Sequence, residues 1–449
     1  MTRADQPLPA GGPNREKLAL LEVAHTTVSP LTARVLLAFF LTAIAIVPIA
    51  EWAGRRAGGD EAAALWSRVF ELPGAIRAQI RASTVEGHGS WRLVTAVNRI
   101  VIARLSELEQ ALDEDSLLSQ ELRPPAQIAI TEWLGAGNER VYRGREGWLF
   151  YRPDVEYITG RGFLEPAQLK RRGAPQPDSI AGPAQIGVEG PDPREAIGRF
   201  RRDLEARGIT LVVVPTPLKP GVHPEMLARL YAGGTGVLQN PSYRAFVEDL
   251  RRDGVLVFDP SEALATSRIA SPQYLATDTH WRPEAMETVA ELLGGFIAAQ
   301  VRLPVTADPG YQIDRPDMRN TGDAARMLDL PDDPPLFPPE AISLRRVLQP
   351  DGSPWRPSRD ADVLLLGDSF STIYSLESMG WGTSAGFAEQ LSYALRRPVD
   401  RLVQNDEGAF ATRAMLQREP DRLDGKRVVV YQFAARELAF GDWKVIPLR

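Results

Sequence analysis

The sequence predicts an α/β fold of three layers, in which a parallel sheet is covered by helices on both faces. Two observations lead there. Short aliphatic runs recur from residue 209 onward, at 209–214, 254–259, 362–366, 399–403 and 427–433. Each is brief, and all but 399–403 are almost wholly apolar, as a strand buried on both faces must be. Helical segments lie between and around them, at 194–207, 243–252, 283–301, 385–396 and 411–417, and such alternation belongs to parallel sheets.

Composition narrows the class further. Hydrophobic residues make up 44% of the 449 and charged residues 24%, which is the balance of a folded protein. The net charge of −6 offers no basic footprint for a phosphate backbone, so nucleic acid is not an expected partner. Cysteine is absent, which excludes disulfides, thiolate metal sites and a cysteine nucleophile without choosing a compartment.

In chain order, residues 1–30 form a polar tail. Val35 to Ala50 carry no charge, and 31–52 reach the length of about 20 residues that a membrane span needs if Arg34 and Glu51 reach the two interfaces. A cleaved signal peptide competes, but its polar leader would be unusually long; a buried core helix is the plainer alternative. Arg55 and Arg56 dilute the charge bias that orients a span. The reading is a single anchor with its tail in the cytoplasm. Residues 53–140 are expected to form a membrane-proximal helical segment, with Val94, Val97, Val101, Leu105, Leu108 and Leu112 in one apolar stripe.

The main domain occupies 141–449. It opens on Gly147-Trp148-Leu149-Phe150-Tyr151, an aromatic and aliphatic run behind a turn glycine. A Pro/Gly-rich connection at 165–193 reads as a surface loop. The stretch 303–360 holds eleven of the 37 prolines, so it is expected to be neither a helix body nor an inner strand but a wall or lid.

Chemistry concentrates in two places. Asp362-Val-Leu-Leu-Leu-Gly367-Asp368-Ser369 is a strand ending in a tight turn, which sets the Ser369 hydroxyl at the carboxyl end of the sheet, where open α/β folds bind ligands. A serine that only caps the next helix would look the same. The second place is Thr277-Asp278-Thr279-His280-Trp281. In an extended segment residues two apart face the same way, so Asp278 and His280 can address one site. Nucleophile, base and orienting carboxylate are then Ser369, His280 and Asp278. Of the other histidines, His25 and His88 fall near the amino terminus and His223 lies in a Pro-rich loop. A metal is the rival use of Asp and His, but no further ligand stands at ligand spacing, so neither metal nor cofactor is expected.

These paired motifs, with the Asp-x-His before the serine, resemble the SGNH-hydrolase-like domain of the AlgJ/AlgX alginate O-acetyltransferases. Gly144 to Phe150 and Tyr431 to Arg436 are similar to that family as well. The resemblance implies an SGNH-like catalytic domain of AlgJ layout, facing the periplasm from the inner membrane. It implies acetyl transfer onto an exopolysaccharide, with a membrane-bound O-acyltransferase partner delivering the donor. Gly408 and Gln432 stand nearest the oxyanion positions of SGNH enzymes, with glutamine where asparagine is usual. Trp281, Trp355 and Arg436 are the candidate sugar-binding residues. An acetylesterase using the same triad, or a non-catalytic polysaccharide scaffold, remains open.

Overall fold

A computed structural model of the chain divides into two compact units, residues 1–122 and 123–449. It describes residues 29–42, a few positions between 73 and 102, 117–174, and 190–448 apart from 232–233, 235, 332–335 and 406–407. In the first unit residues 30–42 are helical and exposed. No helix among the described residues is long and apolar enough to cross a membrane. Residues 43–52 of the expected anchor lie outside the described residues, as does most of the apolar stripe, of which Val97 and Val101 are helical.

In the second unit residues 123–133 are helical, and the first strands are an antiparallel pair, β1 (Val141–Arg143) and β2 (Leu149–Tyr151). Helices α1 (Arg152–Thr159) and α2 (Pro166–Gly173) follow. The second of these corrects the expected loop: Pro166 sits in the first turn, where a missing N–H costs nothing. Residues 175–189 lie outside the described residues. Helix α3 (Pro193–Glu205) starts on Asp192, whose carboxylate accepts from the Arg194 N–H, and leads into strand β3 (Thr210–Thr216). Helix α4 (Tyr243–Arg252) buries Tyr243, Phe246, Val247 and Leu250 at helical spacing. The expected strand at 254–259 shrinks to the two-residue edge strand β4 (Leu256–Val257). Helix α5 (Pro283–Gln300) comes next.

The Pro-rich stretch stays out of the main sheet. It folds into two short antiparallel pairs, β5 (Gln312–Asp314) with β8 (Arg346–Leu348), and β6 (Asp317–Asn320) with β7 (Glu340–Ser343). Strand β9 (Val363–Gly367), helix α6 (Ser369–Thr372), helix α7 (Phe387–Leu395), strand β10 (Asp400–Val403), helix α8 (Ala411–Arg418) and strand β11 (Val428–Ala434) follow, and a short helix, Glu437–Phe440, comes after the last strand.

The sheet runs β10-β9-β11-β3-β4, parallel throughout. Every residue of β9 and β11 is buried, which requires cover on both faces. The long register of β11 on β3, from Val428 opposite Thr210 to Ala434 opposite Thr216, brings the carboxyl ends of both strands level. Gly367 ends β9 on the other side of β11. The order turns back across these three strands, and α/β sheets open their ligand crevices at such a point.

Candidate active site

The serine turn is held by side chains from two neighbouring strands. Asp368 caps α6: its Oδ1 accepts the Phe370 N–H at 2.9 Å, and its Oδ2 accepts the Ala434 N–H at 2.6 Å. Gln432, on β11, donates through Nε2 to Asp368 Oδ1 (2.9 Å) and to Thr216 Oγ1 on β3 (2.8 Å). Its Oε1 accepts from the Asp368 N–H (3.1 Å) and from Ser371 Oγ (2.6 Å). Ser371 is thereby consumed and fully buried, whereas half-buried Ser369 borders a pocket with Asn405, Gly408, Gln432, Arg436 and Glu437. Gln432 is corrected as an oxyanion donor, because both protons of its amide are already engaged.

Asp278 and His280 meet, though not as the extended pair the spacing suggests. Residues 277–280 form bends, and the Asp278 carboxylate folds back on its own loop. Its Oδ1 accepts the His280 N–H at 3.0 Å and lies 2.7 Å from His280 Nδ1. Its Oδ2 accepts from Trp381 Nε1 (2.9 Å) and from the Asp323 N–H (3.0 Å). His280 Nε2 is buried, and neither Ser369 nor any other described residue bonds it. The two motifs are stitched together around the His280 ring. Trp281 Nε1 donates to the Phe370 carbonyl at 3.1 Å, Tyr374 Oη donates to the Trp281 carbonyl at 2.6 Å, and the His280 and Phe370 rings lie 4.8 Å apart.

Three charged residues that the sequence reading missed support this loop. Lys219 Nζ, wholly buried, donates to the carbonyls of Leu149 (2.5 Å), Ala276 (2.7 Å) and Asp278 (2.9 Å). Glu340, on β7, accepts from the N–H groups of Ala276 (2.9 Å) and Thr277 (2.7 Å) and from the Thr277 hydroxyl (2.6 Å). Asp323 accepts from the N–H (2.7 Å) and hydroxyl (2.6 Å) of Thr279. Lys219 carried one signal, a lysine just past an aliphatic strand. Asp323 and Glu340 carried none, since the insertion meets Asp278 only in the folded chain.

Burial and charge oppose each other here. Burial pulls the His280 imidazole down, but its bond to Asp278 and the charges of Asp278 and Asp323 overcome that, and the net direction is up. Burial raises Asp278, yet the bond and charge of His280, with Trp381 and the Asp323 N–H, hold it well below the usual carboxylate range. Burial and the Asp278 charge push Asp323 up. Burial draws Lys219 down to about 8. Asp278, His280 and Asp323 bring three ligand-type atoms within 4.8 Å of one another. The Nδ1 side of His280 and the Asp323 carboxylate are held in hydrogen bonds within the loop, while Nε2 is left without a partner.

The expected sugar platforms fare differently. Trp281 is fully buried and Trp355, 5% exposed, donates to Ser392 Oγ; both are core residues with no face for a ligand, which corrects their assignment. Arg436 does border the serine pocket. Its guanidinium pairs with Asp154 at 2.9 Å and stays cationic, because Asp154, Glu437 and Asp368 outweigh its burial. Gly408 lines the same pocket in a left-handed conformation, φ 74°, that favours glycine. His223 is structural: its Nε2 accepts the Gln273 N–H and its Nδ1 pairs with Glu225.

Comparison with known proteins adds the following. A family model described as "SGNH hydrolase-like domain, acetyltransferase AlgX" matches residues 188–435. The "Probable alginate O-acetylase AlgJ" of Pseudomonas aeruginosa is 26% identical over 310 residues, 67% of this chain and 71% of that protein. The protein of the same name in Pseudomonas fluorescens is 27% identical over 203 residues, 43% of this chain and 50% of that protein. Among solved structures, the O-acetyltransferase domain of Pseudomonas putida AlgJ aligns with a TM-score of 0.48 and 22% identity, over 67% of this chain and 92% of that one.

Proposed function

Since the chain belongs to the AlgX family of SGNH hydrolase-like acetyltransferases, we propose that it acetylates hydroxyls of an alginate-like exopolysaccharide through an acetyl-serine on Ser369. One observation carries the mechanism. The Asp278–His280 pair is bonded at 2.7 Å, and its far nitrogen is buried and unpartnered beside the serine turn.

Ser369 Oγ attacks the acetyl carbonyl of the donor while His280 Nε2 takes its proton. Asp278 keeps Nδ1–H in place and balances the imidazolium. The N–H groups of Ser369 and Gly408 are the donors offered to the oxyanion. Collapse expels the leaving group, which takes the proton from His280. A sugar hydroxyl then gives its proton to Nε2 and attacks the acetyl carbonyl, and collapse returns that proton to Oγ and frees Ser369. Arg436 adds a fixed cation at the pocket wall for polar groups of donor or acceptor. The polymer follows the names of the AlgJ relatives. The acetyl donor comes from a membrane-bound O-acyltransferase, and the domain faces the periplasm from a single inner-membrane anchor at 31–52.

The test is mass spectrometry of uronate oligosaccharides incubated with enzyme and an activated acetyl ester. Acetylated oligosaccharide is expected from the wild type and none from Ser369→Ala. Free acetate as the sole product across a panel of oligosaccharides would make the protein an acetylesterase. Transfer surviving in Ser369→Ala would remove the serine from the reaction.

A further inference from the structure

The Pro-rich insertion reaches the catalytic histidine. Gly322 lies so close to the Asp278 loop that a Cβ there would meet the Thr277 carbonyl oxygen at 2.2 Å. The next residue, Asp323, turns both its backbone and its side chain on the triad. Its N–H donates to Asp278 Oδ2 at 3.0 Å. Its Oδ1 takes the Thr279 N–H at 2.7 Å, and its Oδ2 takes the Thr279 hydroxyl at 2.6 Å and lies 3.6 Å from His280 Nδ1.

Thr279 Oγ1 is itself 3.1 Å from His280 Nδ1. A threonine hydroxyl has one proton to donate. With that proton given to Asp323, Oγ1 meets Nδ1 only through a lone pair, so Nδ1 must carry the hydrogen. The imidazole lone pair is then on Nε2, the atom that must receive the serine proton. Had the Thr279 hydroxyl pointed the other way, it would favour the opposite tautomer, whose Nε2–H cannot act as a base.

We propose that Asp323, acting through Thr279, is a positioning residue that backs Asp278 in holding the working tautomer of His280 and supplies a second carboxylate to its imidazolium. This rests on the triad reading above. The insertion thereby becomes part of the acid–base machinery instead of a wall beside it. The charges facing His280 are Asp278 and Asp323, which favour its cation, Arg436, which opposes it, and Asp154, paired to Arg436. Removing the Asp323 charge therefore leaves the imidazole less basic.

The experiment uses the full chain in detergent, with 4-nitrophenyl acetate as donor and kcat and KM followed across pH. Asp323→Asn keeps the backbone bond to Asp278. It is expected to lower kcat by about tenfold or more, with KM little changed and the acid limb of kcat/KM displaced to lower pH. Thr279→Val should act in the same direction and Thr279→Ser should stay near wild type. The Asp323→Asn/Thr279→Val double variant should be little worse than the poorer single one, since the two residues act in series. An acid limb that stays in place in Asp323→Asn, whatever its rate, overturns the proposal, as does a Thr279→Val enzyme with wild-type kcat. Ser369→Ala separates the two ideas. If it is inactive beside an unshifted Asp323→Asn, only the tautomer proposal falls; if it still turns over, the triad falls and takes the proposal with it.

Discussion

In the proposed mechanism His280 can take a proton only while it is neutral, and its surroundings push the other way. Asp278 and Asp323 raise the imidazole despite its burial, so activity should fall on acidification through a pH above the ordinary histidine value of about 6.5. The sign for a mutant follows. Asp278→Asn removes the nearer negative charge, lowers the basicity of His280 and moves the acid limb of kcat/KM to lower pH. The same change loosens tautomer control, and kcat should drop by about 10² to 10⁴-fold. A pH–rate series on the purified variant checks both; an unchanged acid limb would mean that Asp278 does not act on the base.

At the level of elements, the insertion is fastened where it can least tolerate bulk. The Cβ of Gly322→Ala would meet the Thr277 carbonyl oxygen at 2.2 Å and the Asp278 nitrogen at 2.5 Å, both backbone atoms that cannot rotate aside. Gly322→Ala should therefore cost about 1–3 kcal/mol of stability through overpacking. It should also lower turnover, because the strain falls on the Asp278 loop. Chemical denaturation together with the acetyl-ester assay reads both effects. A stable but slow variant would still place the strain in the loop, whereas wild-type stability and rate together would show that the contact yields. The prolines of this stretch were legible as a bar to helix and inner strand, and its short antiparallel pairs outside the sheet agree with that.

For the whole molecule, the anchor at 31–52 is a question of partition between water and lipid. We expect the full chain to sediment with membranes and resist high salt, and a chain beginning near Asp60 to stay in the supernatant, because Val35 to Ala50 carry no charge. Fractionation with a salt wash checks this. A full chain released by salt, or one cleaved after Ala50, would rule the anchor out.

What the sequence determined by itself follows from short-range chemistry. Aliphatic runs such as Leu364-Leu365-Leu366 and Val428-Val429-Val430 can satisfy their backbones and hide their side chains only as inner strands, so a parallel sheet was legible. So was the serine at the end of one strand, because Gly367-Asp368-Ser369 forms its turn locally and Asp368 caps the helix after it. Asp278 and His280 were legible for the same reason, being two residues apart, although their meeting is a tight bend and not an extended strand. Folding decided what depends on residues far apart in the chain. Trp281 and Trp355 looked like sugar platforms until packing buried them, and Gln432 looked like an oxyanion donor until Thr216 and Asp368 took its amide protons. Asp323 and Glu340 show no pattern along the chain, and Lys219 shows only its place just past a strand, because such a charge is held by whichever backbone groups the fold brings to it. Only the tertiary structure places those partners within bonding distance of the Asp278 loop.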